Sequence, residues 1–86
     1  MLPPPPTPLY HHPLPSLEAW LEGLGARQAH RHSPLWTLDQ PEWSAEIELR
    51  QAELQVRWLR GDERCQRTFS YGLTRDDVQS AILAGP

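Results

Sequence analysis

Lysine and asparagine are absent from this chain, and cysteine, methionine and phenylalanine occur once each. All eight basic residues are arginine, which we read first as the imprint of a GC-rich coding sequence. The single cysteine, Cys65, rules out an intramolecular disulfide and fits a reducing compartment. No apolar run approaches the roughly 20 residues of a membrane span. The N-terminus has no basic region ahead of an apolar one and is crowded with proline, so it does not read as a secretory signal. The expected location is cytoplasmic. A net charge of −3 disfavours nonspecific nucleic-acid binding. A glycine-rich phosphate loop, a paired acidic motif and a Ser-His-Asp pattern are all missing. The expectation is a protein that is not an enzyme and carries no cofactor.

What is present is concentrated at the start. Seven of the ten prolines fall in Met1–Pro15, just before an amphipathic stretch. Proline fixes φ and cannot donate a backbone hydrogen bond, so this reads as an extended arm over 1–15, with 1–7 disordered. A single domain over 16–86 follows. At about 70 residues it sits near the lower limit for an unaided core. Trp20, Trp36, Trp43 and Trp58 compensate, since each can bury roughly 150–250 Å².

Ser16 offers an N-cap with Glu18 in the first turn, and Leu17, Trp20, Leu21 and Leu24 share one helical face ending at Gly25. Residues 26–34 read as a polar connection. Four strands are expected next, over 35–39, 43–50, 53–60 and 65–71, closed by turns at 40–41, 51–52 and 61–64. If residue 50 faces 53, then Leu49, Ile47 and Ala45 face Leu54, Val56 and Trp58. On the other face Arg50 then meets Glu53 and Glu46 meets Arg57, so like pairs with like and acid with base. Gln51-Ala52 is poor chemistry for a two-residue turn, which leaves a longer loop in the same register open. Thr74 can cap a second helix with Asp76 and Asp77 in its first turn and Val78, Ala81 and Ile82 inward. The fold expected is α+β: a two-layer sandwich in which helix, four-stranded antiparallel meander and helix follow an extended arm.

Two surfaces are candidates for contact with a partner. One gathers Leu9, Tyr10, His11, His12, Leu14 and Trp20, because aromatic and apolar residues on an arm anchor interfaces. The other is the polar sheet face with Glu46, Glu48, Arg57 and an exposed Leu59, through which two copies can pair. The histidines come as two pairs, His11-His12 and His30-x-His32; His30 and His32 could share a metal with a third ligand from the arm or Cys65, but zinc needs a defined scaffold. Cys65 has no local base to make it a nucleophile and reads as a small filler of the inner face. Arg50, Arg57, Arg60, Arg64 and Arg67 form a basic stretch. The element order resembles that of double-stranded RNA-binding domains, but Thr74-Arg75-Asp76-Asp77 stands where those carry lysines, and its acids would repel phosphate.

Pro8-Leu-Tyr-His-His-Pro-Leu-Pro15 running into Leu17-Glu-Ala-Trp-Leu21 resembles a small uncharacterised cyanobacterial family, a domain of unknown function. Leu35-Trp36, Pro41-Glu-Trp43, Glu46-Ile-Glu-Leu49, Phe69-Ser-Tyr71 and Ala84-Gly-Pro86 continue the likeness over about residues 7–86. It implies a phototroph's cytoplasm and transfers no activity, cofactor or catalytic residue. The reading that follows is a non-enzymatic adaptor for an unidentified protein partner, with RNA binding and metal binding through the histidine pairs as alternatives.

Overall fold

The computed structural model describes residues 7–86. The four-proline run lies outside them, as does all but Thr7 of the segment expected to be disordered. A 3-10 turn over Leu9–His11 leads into α1 (Leu14–Gly23). The sheet follows as β1 (Arg27–Gln28), β2 (Leu35–Asp39), β3 (Ser44–Leu49), β4 (Glu53–Arg60) and β5 (Glu63–Ser70), and α2 (Arg75–Ala84) comes last. The strands lie in chain order, each antiparallel to its neighbours. The α+β class therefore holds, with five strands instead of four. The added strand pairs Arg27 with Thr37 and Gln28 with Trp36. Two residues carry no alternation to read, and the side-chain amide of Gln28, bonded to the Ser33 carbonyl at 2.8 Å, helps hold the return loop.

The arm also differs from the extended segment expected. Beyond the turn at Leu9, α1 starts at Leu14, before the boundary drawn at residue 15. Pro15 stands in the first turn, where a missing N–H costs nothing and a fixed φ favours the helix. Ser16 is consequently not the cap; its own N–H donates to the Pro13 carbonyl. Glu18 is displaced from the first turn and accepts from the Gln28 amide at 3.3 Å. The other end is as expected. Gly25 takes φ of 98°, and the N–H groups of Gly25 and Ala26 return to the carbonyls of Glu22 and Leu21, a Schellman closure.

Between β3 and β4 the register matches the sequence expectation throughout: Leu49 faces Leu54, Ile47 faces Val56, Ala45 faces Trp58 and Glu46 faces Arg57. Arg50 faces Glu53 as expected, its N–H donating to the Glu53 carbonyl at 3.0 Å, but its guanidinium donates to Gln55 at 2.6 Å and not to the Glu53 carboxylate. β5 begins two residues earlier than expected. Gly61, at φ of 57°, and Asp62 make a tight turn that brings Arg60 against Glu63 at 3.0 Å. Thr74 caps α2 through the Asp77 N–H at 3.2 Å.

One face of the sheet is buried. Trp36, Leu38, Ala45, Ile47, Leu54, Val56, Trp58 and Phe69 form a single core with Leu17, Trp20 and Leu21 of α1, Val78 and Ile82 of α2, and Leu9 of the arm. The Trp20 indole donates to Gln79 at 2.9 Å and so ties α1 to α2, while the Trp58 indole donates to the Ile82 carbonyl at 3.2 Å. Trp43 is only half-buried, at the rim. Gly85 lies against it at φ of 83°, and a Cβ there would stand 2.7 Å from the indole nitrogen. Cys65, opposite Trp58 on the inner face, was expected to be a filler but is exposed. Beside it, Trp58 is buried with its indole bonded to α2, and of β5 only Phe69 reaches the core.

Leu9 is fully buried and Tyr10 is 62% exposed, so neighbouring truncations separate core from surface. Leu9→Ala is expected to cost about 2–5 kcal/mol in urea unfolding, and Tyr10→Ala at most about 0.5 kcal/mol. Equal, small effects would mean that the arm contributes nothing to the core.

Candidate functional site

Main-chain hydrogen bonds fix the arm. The Leu9 N–H donates to the Leu73 carbonyl and the Tyr10 N–H to the Tyr71 carbonyl, both at 2.9 Å, and the Arg75 N–H donates to the Thr7 carbonyl at 3.0 Å. Pro8 bridges to Thr74 between these contacts. The segment after β5 thus serves as a short template for the arm. Leu9 points inward, which leaves Tyr10 and, at the start of α1, Leu14 facing outward at 62% and 58% exposure. Tyr10 stacks on exposed His11 with ring centroids 4.1 Å apart.

His12 turns the other way and is buried. Its Nδ1 lies 3.1 Å from the Pro8 carbonyl, which can only accept, so Nδ1 carries the proton. Nε2 is buried and without a partner among the described residues. Leu9, Tyr10, His12 and Leu14 line an open pocket of about 360 Å³, completed by Leu17, Leu49, Arg50, Gln51 and Tyr71. Its lining is largely apolar, with Arg50 as the charged member. The Tyr71 hydroxyl donates to the Arg50 carbonyl at 2.5 Å and clamps the β3–β4 turn from below. Partial burial raises the Tyr71 pKa above its ordinary value, and the Glu53 carboxylate raises it further.

The structure brings together four of the six arm-side candidates. Trp20 is buried with its indole bonded to Gln79, and it lines a separate hollow with Leu24 and Arg75, so the expected Tyr10–Leu14–Trp20 patch is divided. His11 stands outside the pocket lining. On the open sheet face Glu46, Glu48 and Arg57 do meet, around a shallow depression of about 190 Å³ with Leu35 and Gln55. Glu46 and Arg57 are 3.5 Å apart. Leu59 is half-buried, where an exposed side chain was expected, and does not line the depression.

His30 and His32 are exposed in the β1–β2 loop, where His32 takes φ of 63°. Among the described residues no group of three His, Cys, Asp or Glu side chains is placed to hold a metal ion. Of the arginines expected to form a basic stretch, Arg57 and Arg60 are engaged by acids. Among the described residues no helix is long and apolar enough to cross a membrane. Sequence reasoning missed Leu17, Leu49, Arg50, Gln51 and Tyr71 as pocket residues; Leu17 was read only as part of the helix face. Their signal was indirect: a β3–β4 turn whose sequence suits a tight hairpin poorly needs support from elsewhere, and Tyr71 supplies it.

The model of a family described as a protein of unknown function, DUF3143, matches residues 24–85, more than two thirds of the chain. The match begins after the Pro-Leu-Tyr segment and the whole of α1, and takes in the whole sheet and α2. Neither a curated protein nor a solved structure matches the chain.

Because the folded state holds the Tyr71 proton more tightly than the unfolded chain does, this group's contribution is complete below about pH 10. It is lost as pH rises through the raised folded value. Tyr71→Phe is expected to cost about 0.5–1.5 kcal/mol at neutral pH and to flatten the alkaline decline in thermal stability. An unchanged alkaline slope in the variant would assign that decline to another group.

Proposed function

Starting from membership of DUF3143, a family whose function is unknown, we propose that this chain is a non-enzymatic adaptor in the cytoplasm of a cyanobacterial cell. Its partner is a protein, and the contact is made through the pocket between the arm, the start of α1 and the β3–β4 turn. The observation that carries this reading is the exposure of two large apolar side chains, Tyr10 and Leu14, on a segment whose backbone is pinned in place. A pinned apolar pair meets a partner with little entropy left to lose, which is what an interface anchor requires.

The lining favours a particular kind of contact. Apolar walls suit a large apolar side chain, and Arg50 at the rim suits an acidic residue beside it. A polar group that hydrogen-bonded the unpartnered Nε2 of His12 would relieve a buried polar atom. The open sheet face is a weaker candidate. Its depression is smaller and lined mostly by charged and amide groups, of which Glu46 and Arg57 pair with each other and Gln55 accepts from Arg50.

Joint replacement of Tyr10 and Leu14 by alanine tests the reading. The double variant is expected to keep its melting temperature within a few degrees and to lose capture of the partner retained by the wild-type chain. Capture unchanged by the double variant would contradict the assignment. A large fall in melting temperature would mean that these side chains act in folding.

A further inference from the structure

The two edges of the sheet are unlike. β1 is two residues long, while β5 runs for eight and has no strand beyond it among the described residues. Six consecutive β5 residues, Glu63 to Thr68, are exposed, and only Phe69 is buried. Both faces are therefore open along most of this edge. A long open edge presents a row of unpaired N–H and C=O groups, and the charges on it decide what can pair there. We propose that β5 pairs antiparallel with β5 of a second copy, about a two-fold axis at Cys65, to join two sheets into one.

The charges select this register. A two-fold axis normal to the sheet keeps the helices of both copies on one side, and inner-face residues must then meet inner-face residues. With Arg64 on the axis, the arginines of the two copies oppose each other directly. With Arg67 on the axis the same repulsion recurs. With Gln66 on the axis no charges oppose, and Arg67 faces Cys65. Only with Cys65 on the axis does Glu63 of each copy face Arg67 of the other, while Arg64 faces Gln66. Opposite charges across a ladder attract and like charges repel, so the one attractive pairing lies between two repulsive or neutral ones. Arg67 suits the role: its guanidinium lies 4.9 Å from the centre of its own Phe69 ring, and no acid salt-bridges it among the described residues. Cys65 and Arg67 are free to meet their counterparts because both are exposed. The ladder is about five residues long on each side, so the dimer is weak and concentration-dependent.

Sedimentation over a hundredfold range of concentration is the test, with Arg67→Glu and the charge-swapped Glu63→Arg/Arg67→Glu chain beside the wild type. Arg67→Glu turns two attractive pairs repulsive and is expected to raise the dissociation constant about tenfold; the swap is expected to restore it. Both substitutions are at exposed positions; Glu63→Arg also removes the surface pair with Arg60, and circular dichroism checks that each chain folds. In the wild type a short bis-maleimide should link Cys65 to Cys65 between copies, and this yield should fall in Arg67→Glu. A wild-type chain that stays monomeric throughout overturns the proposal, as does a dimer that Arg67→Glu leaves unchanged. This outcome is independent of the Tyr10–Leu14 pocket, because no β5 residue lines it.

Discussion

The buried face of the sheet is longer than the helices that cover it, and this shortfall shapes the rest of the molecule. β4, at eight residues, spans about 27 Å. α1 and α2, at ten residues each, span about 15 Å apiece. Two such helices, tied together through Trp20 and Gln79, pack on this face. Exposed apolar surface at either side costs about 25 cal/mol per Å² left in water. On one side the chain supplies Leu9 from the arm, completely buried in the same core. On the other, along β5, only Phe69 is buried, and Glu63 to Thr68 are exposed.

That division explains the chemistry of both candidate surfaces. Burying Leu9 draws its backbone against residues 71–75, where its N–H and that of Tyr10 find carbonyl partners. Residues that alternate with a buried anchor are turned outward, so Tyr10 is displayed because Leu9 is hidden. Pro8 and Pro13 flank the turn, and each lowers the freedom of the unfolded arm and so the entropy lost on docking. His12 is buried as a consequence, with one ring nitrogen used and the other unpartnered. At β5 the absence of cover leaves a strand edge whose composition, rather than a roof, governs what approaches it.

Strong periodicity made much of this legible. The alternation in 43–50 and 53–60, with acids and bases complementary across it, fixed the register of β3 and β4 residue by residue. Gly25 and Thr74 marked helix ends because each has one local mechanism. β1 was not legible, since two residues have no period and its partners come from β2. Ser16 misled because proline at a helix start competes with a side-chain cap, and Pro15 won by needing no N–H. Cys65 was assigned to the correct face and the wrong environment: alternation reports a face, and only helix length and placement report whether it is covered. The arm candidates were recognised as a group, but Trp20 was separated from them by its indole bond to Gln79, a partner 59 residues away.

The central claim is that the arm is a fixed part of the domain and presents Tyr10 and Leu14 in one arrangement before any partner arrives. Amide hydrogen exchange of Leu9 and Tyr10 in the isolated chain measures this directly. Protection of both amides comparable to that of the β3–β4 ladder is the expected result. Exchange at the rate of an unstructured peptide, with the ladder still protected, would contradict the claim and remove the preformed surface on which the proposed function rests.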